Sequence, residues 1–242
     1  MYIVGVSNWI TNRSKSSQLL SRYEHFTVGN PIDTSKYIVD SSIYNKNKNK
    51  NKIILFIAIG ADDDKNKGFS DVIFVAENIS EQVELKIVGS GRVGKEKIGN
   101  ANVEYMGYLG DASAIIAEYN RADCVIIPSK QESFGQVASE SLSCGTPVVC
   151  YNTSGLKDIV LHGVNGYLAN DFDRKDLLQG VLEVLSGKFI EKEKCRETIT
   201  KNFSYEKYQV NTRIYTIMSS AESSKSYLVL LIFASLSCHN VF

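Results

Sequence analysis

Residues 124 to 149 read CVIIPSKQESFGQVASESLSCGTPVV, and this stretch decides the fold. It begins with an apolar run from Cys124 to Pro128, which is typical of a strand buried on both faces. A helix that contains Glu140 follows and stops at Gly145, and a second apolar run begins at Val148. The stretch therefore predicts a strand, a helix and a second strand, the repeating unit of a parallel sheet.

The same alternation continues on both sides. It predicts strands at 53–59, 83–88, 103–108, 124–128, 148–151 and 166–169, and, besides the helix across Glu140, helices at 69–79, 112–122, 156–161 and 174–185. Apolar strands that alternate with helices predict an α/β fold, a doubly wound parallel sheet covered on both faces. Ligands bind such sheets beyond the carboxyl ends of the strands. Lys67, Gly89 and Glu132 all follow strands, so we expect them to line one crevice.

The flanking segments have a different pattern. Met1 to Val6 is strand-like, and the residues from Asn8 to Arg22, after the N-cap Ser7, predict a helix. The stretch from Asn45 to Lys52 alternates asparagine and lysine, which predicts a solvated linker. The predicted domains are an N-terminal remnant with its connection (1–44), this linker (45–52), a ligand-binding domain (53–190), C-terminal helices (191–218) and a serine-rich linker with an apolar tail (219–242).

Composition excludes several classes of function. The 242 residues carry 27 lysines and arginines and 27 aspartates and glutamates, so no net charge favours nucleic acid or an anionic membrane. The five cysteines lack metal-ligand spacing, which favours a reducing cytosol and argues against zinc. The N-terminus lacks the basic and long apolar regions of a signal peptide. We expect a cytoplasmic protein, with peripheral attachment to the inner face of the plasma membrane as an alternative.

The apolar run from Tyr227 to Leu236 allows several structural interpretations. It is shorter than the about 20 residues that span a bilayer. A packed helix or strand, or a tail altered by truncation or a reading-frame error, is favoured over membrane insertion.

Gly89, Gly91 and Gly94 match the G-x-G-x-x-G fingerprint of dinucleotide-binding folds. The third glycine of that motif must pack a long helix on the sheet. Here only residues 95–102 precede the next strand, and Gly99-Asn100 interrupts them. The pattern therefore disfavours a nicotinamide-dependent dehydrogenase, and the glycines are expected to form a loop that turns or lets a ligand approach the backbone.

Glu132, Gly135 and Glu140 form a chemical pattern within the first stretch. An acid at a strand end, a glycine that opens a helix and a second acid along that helix suit a ligand with both hydroxyls and phosphate. A nucleotide sugar is such a ligand. Eight helical steps cover at most about 12 Å, enough to place one acid at the sugar and the other at the ribose.

Eight segments carry a family resemblance: Lys67–Phe69, Ile87–Gly91, Val103–Tyr108, Ile126–Ser129, Glu132–Gly135, Glu140–Val149, Gly155–Val160 and Gly163–Leu168. Together they resemble the C-terminal, donor-binding domain of retaining GT-B glycosyltransferases, the glycosyl transferases group 1 family. The likeness covers residues 53 to 190, which would form a Rossmann-like half of the GT-B fold. Val6–Trp9 and Asn30–Asp33 resemble the end of the N-terminal domain and the interdomain connection, which implies that most of that acceptor-binding domain is missing.

The resemblance implies a role for each site residue. Glu132 is expected to be the catalytic carboxylate beside the reacting carbon of the donor sugar, with a helix-dipole acid as the alternative. Lys67 is expected to neutralise phosphate charge. Glu140 is expected to accept from the ribose hydroxyls, with a solvated helix acid as the alternative. The other donor-binding residues are Gly60, Gly89, Tyr108, Phe134, Gly135, Gln136 and Val137, the last four through backbone N–H groups at the pyrophosphate.

The chain departs from the family pattern after Gly60. Family members commonly have an arginine there, whereas this chain has Ala61 followed by the three aspartates 62–64. One phosphate contact is therefore missing, or Lys65 replaces it. We interpret the aspartates as a solvated acidic loop rather than a metal site, because GT-B enzymes generally stabilise the leaving group with protein donors.

The expected function is that of the donor-binding part of a glycosyltransferase. It would bind a UDP- or GDP-sugar without a cofactor or metal. It would transfer the sugar with retention to a saccharide or lipid-linked acceptor, in bacterial polysaccharide biosynthesis. One alternative is a non-catalytic nucleotide-sugar-binding module that needs a partner chain or an acceptor domain. Another is a GT-B sugar-nucleotide epimerase.

Overall fold

Two sheets and the helices around them make up the described chain, residues 2–43, 51–62, 64–187, 191–207 and 229–232 of a computed structural model. The strands are β1 (Tyr2–Gly5), β2 (Glu24–Thr27), β3 (Lys52–Ile57), β4 (Val83–Val88), β5 (Val93–Ile98), β6 (Ala101–Gly107), β7 (Cys124–Ile127), β8 (Val148–Tyr151), β9 (Gly166–Ala169) and β10 (Val229–Ile232). The longer helices are α1 (Asn8–Lys15), α2 (Phe69–Asn78), α3 (Ala112–Arg121), α4 (Gln136–Ser143), α5 (Arg174–Leu185) and α6 (Lys192–Phe203).

The main sheet has the strand order β5-β6-β4-β3-β7-β8-β9. Its strands are parallel, except that β5 runs antiparallel to β6. This confirms the predicted doubly wound α/β fold. The chain builds outward from β3 through β4 to β6, and then continues on the other side of β3 with β7. The loops after β3 and β7 therefore flank the topological switch point, where open parallel sheets bind ligands.

Apolar contacts cover both faces of the main sheet. Helices α2 and α5 pack on one face, where Phe56 and Ile126 are buried. Helices α3, α4 and α6 pack on the other face, where Leu55 and Val125 are buried. Successive residues of one strand thus enter opposite cores. This explains why the central strands show continuous apolar runs instead of an apolar–polar alternation.

The smaller sheet has the order β10-β1-β2, and its strands are parallel. Strand β10 shows that residues 229–232 of the apolar tail form a strand, one of the predicted readings. The rest of that tail, the serine-rich linker and the Asn/Lys linker up to Lys50 lie outside the described residues. None of the described helices combines the length and the apolar character needed to cross a bilayer.

Hydrogen bonds fasten the small sheet and its connection to the main sheet. The backbone N–H of Asn8, at the start of α1, donates to Oδ2 of Asp158 at 2.5 Å. The guanidinium of Arg196 in α6 donates to the carbonyls of Tyr37 and Ser143 at 2.7 Å each and to that of Thr34 at 2.8 Å. Arg196 therefore joins the connection, α4 and α6 in one contact.

Three details of local structure were predicted wrongly or missed. Helix α1 ends at Lys15 rather than Arg22. The Ser16 N–H still donates to the carbonyl of Asn12, but the Ser17 N–H donates to that of Ser14, so the α-helical hydrogen-bond pattern stops there. The predicted helix at 156–161 is a 3₁₀ turn, Ser154–Asp158. Strands β2 and β5 were not predicted. The hairpin strand β5 also replaces the helix of a dinucleotide-binding motif, as expected from the short spacing.

Four of the cysteines lie buried in the described chain, and their thiols are free. Burial raises the pKa of the Cys144 and Cys195 thiols to about 12. Both thiols are therefore protonated at neutral pH and pack as small apolar groups.

Gly89 offers a test of backbone packing beside the crevice. Its φ is +88°, and an added Cβ would lie 2.1 Å from the carbonyl oxygen of Ala58. We expect Gly89→Ala to lower the free energy of unfolding by about 2–4 kcal/mol, measured by urea denaturation. Gly91→Ala is the matched control from the same loop, because a Cβ there meets nothing within 4 Å. Equal urea midpoints for the two variants would contradict this account.

Candidate donor-binding site

The loops after four neighbouring strands meet at one edge of the main sheet. Tyr108 follows β6, Gly89 follows β4, Gly60 lies beyond β3, and Glu132 lies beyond β7. Since these strands are adjacent in the order β6-β4-β3-β7, their carboxyl ends form a continuous edge. The parallel topology thus places these four predicted residues along one edge of the sheet, where the sequence predicts the ligand crevice.

Lys67 and Glu132 form an ion pair at the topological switch point. The Lys67 Nζ lies 2.8 Å from Oε1 of Glu132, and the side chains are 27% and 22% exposed. The residues are 65 positions apart in sequence, on the loops after β3 and β7. A half-buried ion pair on a crevice holds a cation and a carboxylate where a charged ligand can reach both. The roles of the two residues toward a ligand remain predictions.

Asn66 fastens these two loops together. Its side-chain amide donates to the carbonyl of Gln131 at 2.8 Å and accepts from the N–H of Gln131 at 3.0 Å. Its own carbonyl accepts from the N–H of Lys130 at 2.8 Å. These three bonds bring the residues before Lys67 against the residues before Glu132, and so fix the distance between the two loops. No local sequence pattern points to Asn66, because its hydrogen-bond partners are 65 positions away in the chain.

The main chain of Glu132 is held from the loop that follows β8. The N–H of Glu132 donates to the hydroxyl of Ser154 at 2.9 Å, and the N–H of Gly155 donates to the carbonyl of Glu132 at 2.8 Å. Ser154 itself is 3% exposed. Gly155 was part of the family resemblance, but neither residue was predicted as part of the site.

Helix α4 points its N-terminus toward the same edge. It begins after Gly135, whose φ of +110° is in the left-handed region, and no side chain caps it. The first N–H groups of a helix have no acceptor within the helix, so those of Gln136 and Val137 are suited to an anion. Phe134 is buried and packs edge-on against Phe203, with ring centroids 5.4 Å apart. Its side chain therefore belongs to the core, which leaves only its backbone for a ligand.

Glu140 lies further along α4 and is only 6% exposed. Its Oε2 accepts a hydrogen bond of 2.9 Å from the hydroxyl of Tyr119 in α3. Burial and the neighbouring carboxylate raise the pKa of Tyr119 well above its usual value, so the phenol stays protonated and donates. The alternative of a solvated helix acid was therefore wrong. Keeping a carboxylate at a buried position is costly and is typical of functional sites.

Gly60 and Tyr108 lie at accessible positions along this edge of the sheet. A Cβ added at Gly60 meets nothing within 4 Å, although its φ of +63° favours glycine. Tyr108 is 50% exposed, so its ring is accessible to a ligand. Both positions are thus compatible with the predicted contacts to a donor.

The acidic loop and Arg92 form a second charged group nearby. The guanidinium Nε of Arg92, which follows the Gly89 loop, lies 3.8 Å from Oδ2 of Asp62. Arg92 also donates to the hydroxyl of Tyr105 at 2.7 Å. Lys65 is exposed, and Asp63 lies outside the described residues. Within the described chain, no group of three or more histidine, cysteine, aspartate or glutamate side chains could hold a metal ion.

Comparison with the sequence models of protein families identifies the family to which the chain belongs. The sequence model for glycosyl transferases group 1 matches residues 40–202. The chain belongs to this family. It is 32% identical over 138 residues to an uncharacterized glycosyltransferase of Methanocaldococcus jannaschii, which covers 53% of the chain and 39% of the relative. It is also 32% identical over 167 residues to an uncharacterized 41.2 kDa protein in the cps region of Klebsiella pneumoniae, which covers 66% of the chain and 45% of the relative.

Solved structures show the same fold. The crystal structure of Anabaena HepE in complex with UDP-glucose matches with a TM-score of 0.69 at 20% identity, over 90% of this chain and 63% of that protein. This likeness confirms a Rossmann-like half of the GT-B fold. The chain spans less than half the length of both curated relatives.

Proposed function

We propose that the crevice binds a nucleoside-diphosphate sugar, and that the chain forms the donor side of a glycosyltransferase. The observation that carries this proposal is the Lys67–Glu132 pair at the switch point. A cation and a carboxylate there match the two halves of such a donor, one with phosphate charge and one with hydroxyls. The uncapped N-terminus of α4 supplies a further anion-binding group.

The proposed chemistry assigns each group to one part of the donor. The pyrophosphate lies against the first N–H groups of α4 and the ammonium of Lys67. As the glycosidic bond breaks, Lys67 neutralises the charge that develops on the leaving phosphate. Glu132 holds the sugar and stabilises positive charge at the reacting carbon. Protein groups supply all these contacts, so the proposal requires no cofactor or metal.

Transfer with retention to a saccharide or lipid-linked acceptor is part of the proposal, and so is a place in bacterial polysaccharide assembly. The name of the Klebsiella relative, a protein in the cps region, supports this setting. The acceptor would be held by a further domain or a partner chain. Transfer by the purified chain alone would show that no such partner is needed, whereas hydrolysis of the donor without transfer would show that one is.

Isothermal titration calorimetry tests donor binding directly. The whole chain is titrated with UDP, GDP, UDP-glucose and GDP-mannose, and we expect saturable binding of one nucleotide and its sugar. The HepE complex with UDP-glucose favours the uridine pair. Failure to bind any of these compounds would refute the proposal for this chain.

Glu140→Gln tests the predicted ribose contact. We expect the dissociation constant to rise at least about tenfold, because a neutral amide accepts more weakly from the ribose hydroxyls. Tyr119→Phe is the matched control: it removes the hydroxyl that donates to Glu140 but keeps the carboxylate. Equal losses of affinity in the two variants would mean that Glu140 acts only through its buried bond with Tyr119.

A further inference from the structure

Ser154 has a backbone conformation that a serine rarely adopts. Its φ is +52°, in the left-handed region that favours glycine. In the described chain, only Ser154 and Phe172 have a positive φ without being glycine. Strained residues of this kind persist where the surrounding contacts hold them, and they cluster at functional sites. The contacts of Ser154 therefore indicate which interaction depends on this conformation.

Those contacts converge on Glu132. The hydroxyl of Ser154 accepts from the Glu132 N–H at 2.9 Å, and the next residue, Gly155, donates its N–H to the Glu132 carbonyl at 2.8 Å. The backbone of Gly155 lies so close to the backbone of Glu132 and Ser133 that no side chain fits between them. A Cβ on Gly155 would lie 2.4 Å from the carbonyl oxygen of Ser133 and 2.8 Å from that of Glu132.

We propose that Ser154 is a positioning residue for Glu132. It acts through its hydroxyl, which fixes the peptide N–H of Glu132 while Gly155 fixes the carbonyl. With both sides of this residue held, the carboxylate is aimed at Lys67 and at the donor sugar. The left-handed turn at Ser154 brings the hydroxyl within reach. This inference deepens the proposed function and rests on it for the role of Glu132 toward the sugar.

Two substitutions separate positioning from stability. Ser154→Gly and Ser154→Ala both remove the hydroxyl. Glycine adopts the left-handed conformation without strain, whereas alanine retains the backbone strain of the serine. We expect the glycine variant to unfold at a higher urea concentration than the alanine variant. Both should nevertheless lose the contact with Glu132 to the same degree.

Hydrogen exchange of the Glu132 amide, followed by NMR in the protein without ligand, measures the contact itself. In both variants we expect its protection to fall at least about tenfold more than that of the Val125 amide in β7, which reports the change in global stability. Unchanged protection of the Glu132 amide would overturn the proposal, whether or not the chain binds a nucleotide.

Calorimetry with UDP and UDP-glucose, or with the guanosine pair if GDP binds, measures the consequence. The preference is the ratio of the dissociation constant of the bare nucleotide to that of the nucleotide sugar. We expect this ratio to change about tenfold in both variants, while the dissociation constant of the bare nucleotide stays within about twofold of wild type. If the preference changes in the alanine variant but not in the glycine variant, it follows stability and Ser154 is not a positioning residue. No nucleotide binding by the wild type would refute the proposed function, while hydrogen exchange would still decide the contact.

Discussion

Replacing Lys67 by methionine is expected to raise the dissociation constant for the nucleoside diphosphate by about 30-fold or more. The estimate corresponds to about 2 kcal/mol, the usual value of a hydrogen bond to a charged group. The loss has two causes. The phosphate loses its cation, and the Glu132 carboxylate, now without its partner at 2.8 Å, repels the anionic ligand. Calorimetry with UDP and GDP measures the change.

Lys65→Met is the control for Lys67. Lys65 lies two positions earlier in the same loop and carries the same charge, but it is exposed. Removing it changes the net charge equally, so the comparison isolates position from charge. We expect less than about a threefold change in affinity, because exposed charges are screened by water and salt. If the Lys65 variant loses as much affinity as the Lys67 variant, Lys65 supplies the phosphate contact and the assignment of Lys67 is wrong.

Replacing Glu132 by glutamine is expected to lower the rate of donor turnover by about 10²- to 10³-fold. The amide is nearly isosteric with the carboxylate but cannot stabilise positive charge at the reacting carbon. The affinity for UDP or GDP alone should stay the same or increase, since a negative charge near the phosphate site is removed. Turnover is measured as nucleoside diphosphate released from the nucleotide sugar, and affinity is measured by calorimetry.

A large loss of turnover without any loss of nucleotide affinity separates this prediction from damage to the fold. Glu81→Gln, in the exposed turn before β4, makes the same chemical change away from the crevice and should leave both quantities unchanged. Lower nucleotide affinity in the Glu132 variant, together with lower stability, would indicate that the carboxylate serves mainly to hold Lys67.

The central strands could be predicted because burial on both faces leaves a plain signal. In β3, Leu55 and Phe56 are both buried, so the apolar run is continuous. Strand β5 is the opposite case. Val93, at its start, is 80% exposed, and the strand lies at the sheet edge with little apolar burial to reveal it. An edge strand of this kind is set by pairing with its neighbour, which no local pattern records.

The same distinction applies to the site. The position of Glu132 after β7, and the helix start at Gly135, follow from residues that are close in sequence. The roles of Asn66 and Ser154 depend on partners that are 65 and 22 positions away. The buried bond between Glu140 and Tyr119 likewise requires the packing of α3 against α4. Local spacing could place the acids, but it could not show what holds them.

The distance in sequence between Lys67 and Glu132 also bears on how the protein folds. Their loops meet only when β3 and β7 pair, and β4, β5 and β6 lie between these two strands in the sequence. A partly folded chain without this pairing has no crevice. A nucleotide that fits the crevice would bind the native state alone, and its free concentration would shift the unfolding equilibrium toward that state. Thermal stability measured against nucleotide concentration would then report on the completed sheet.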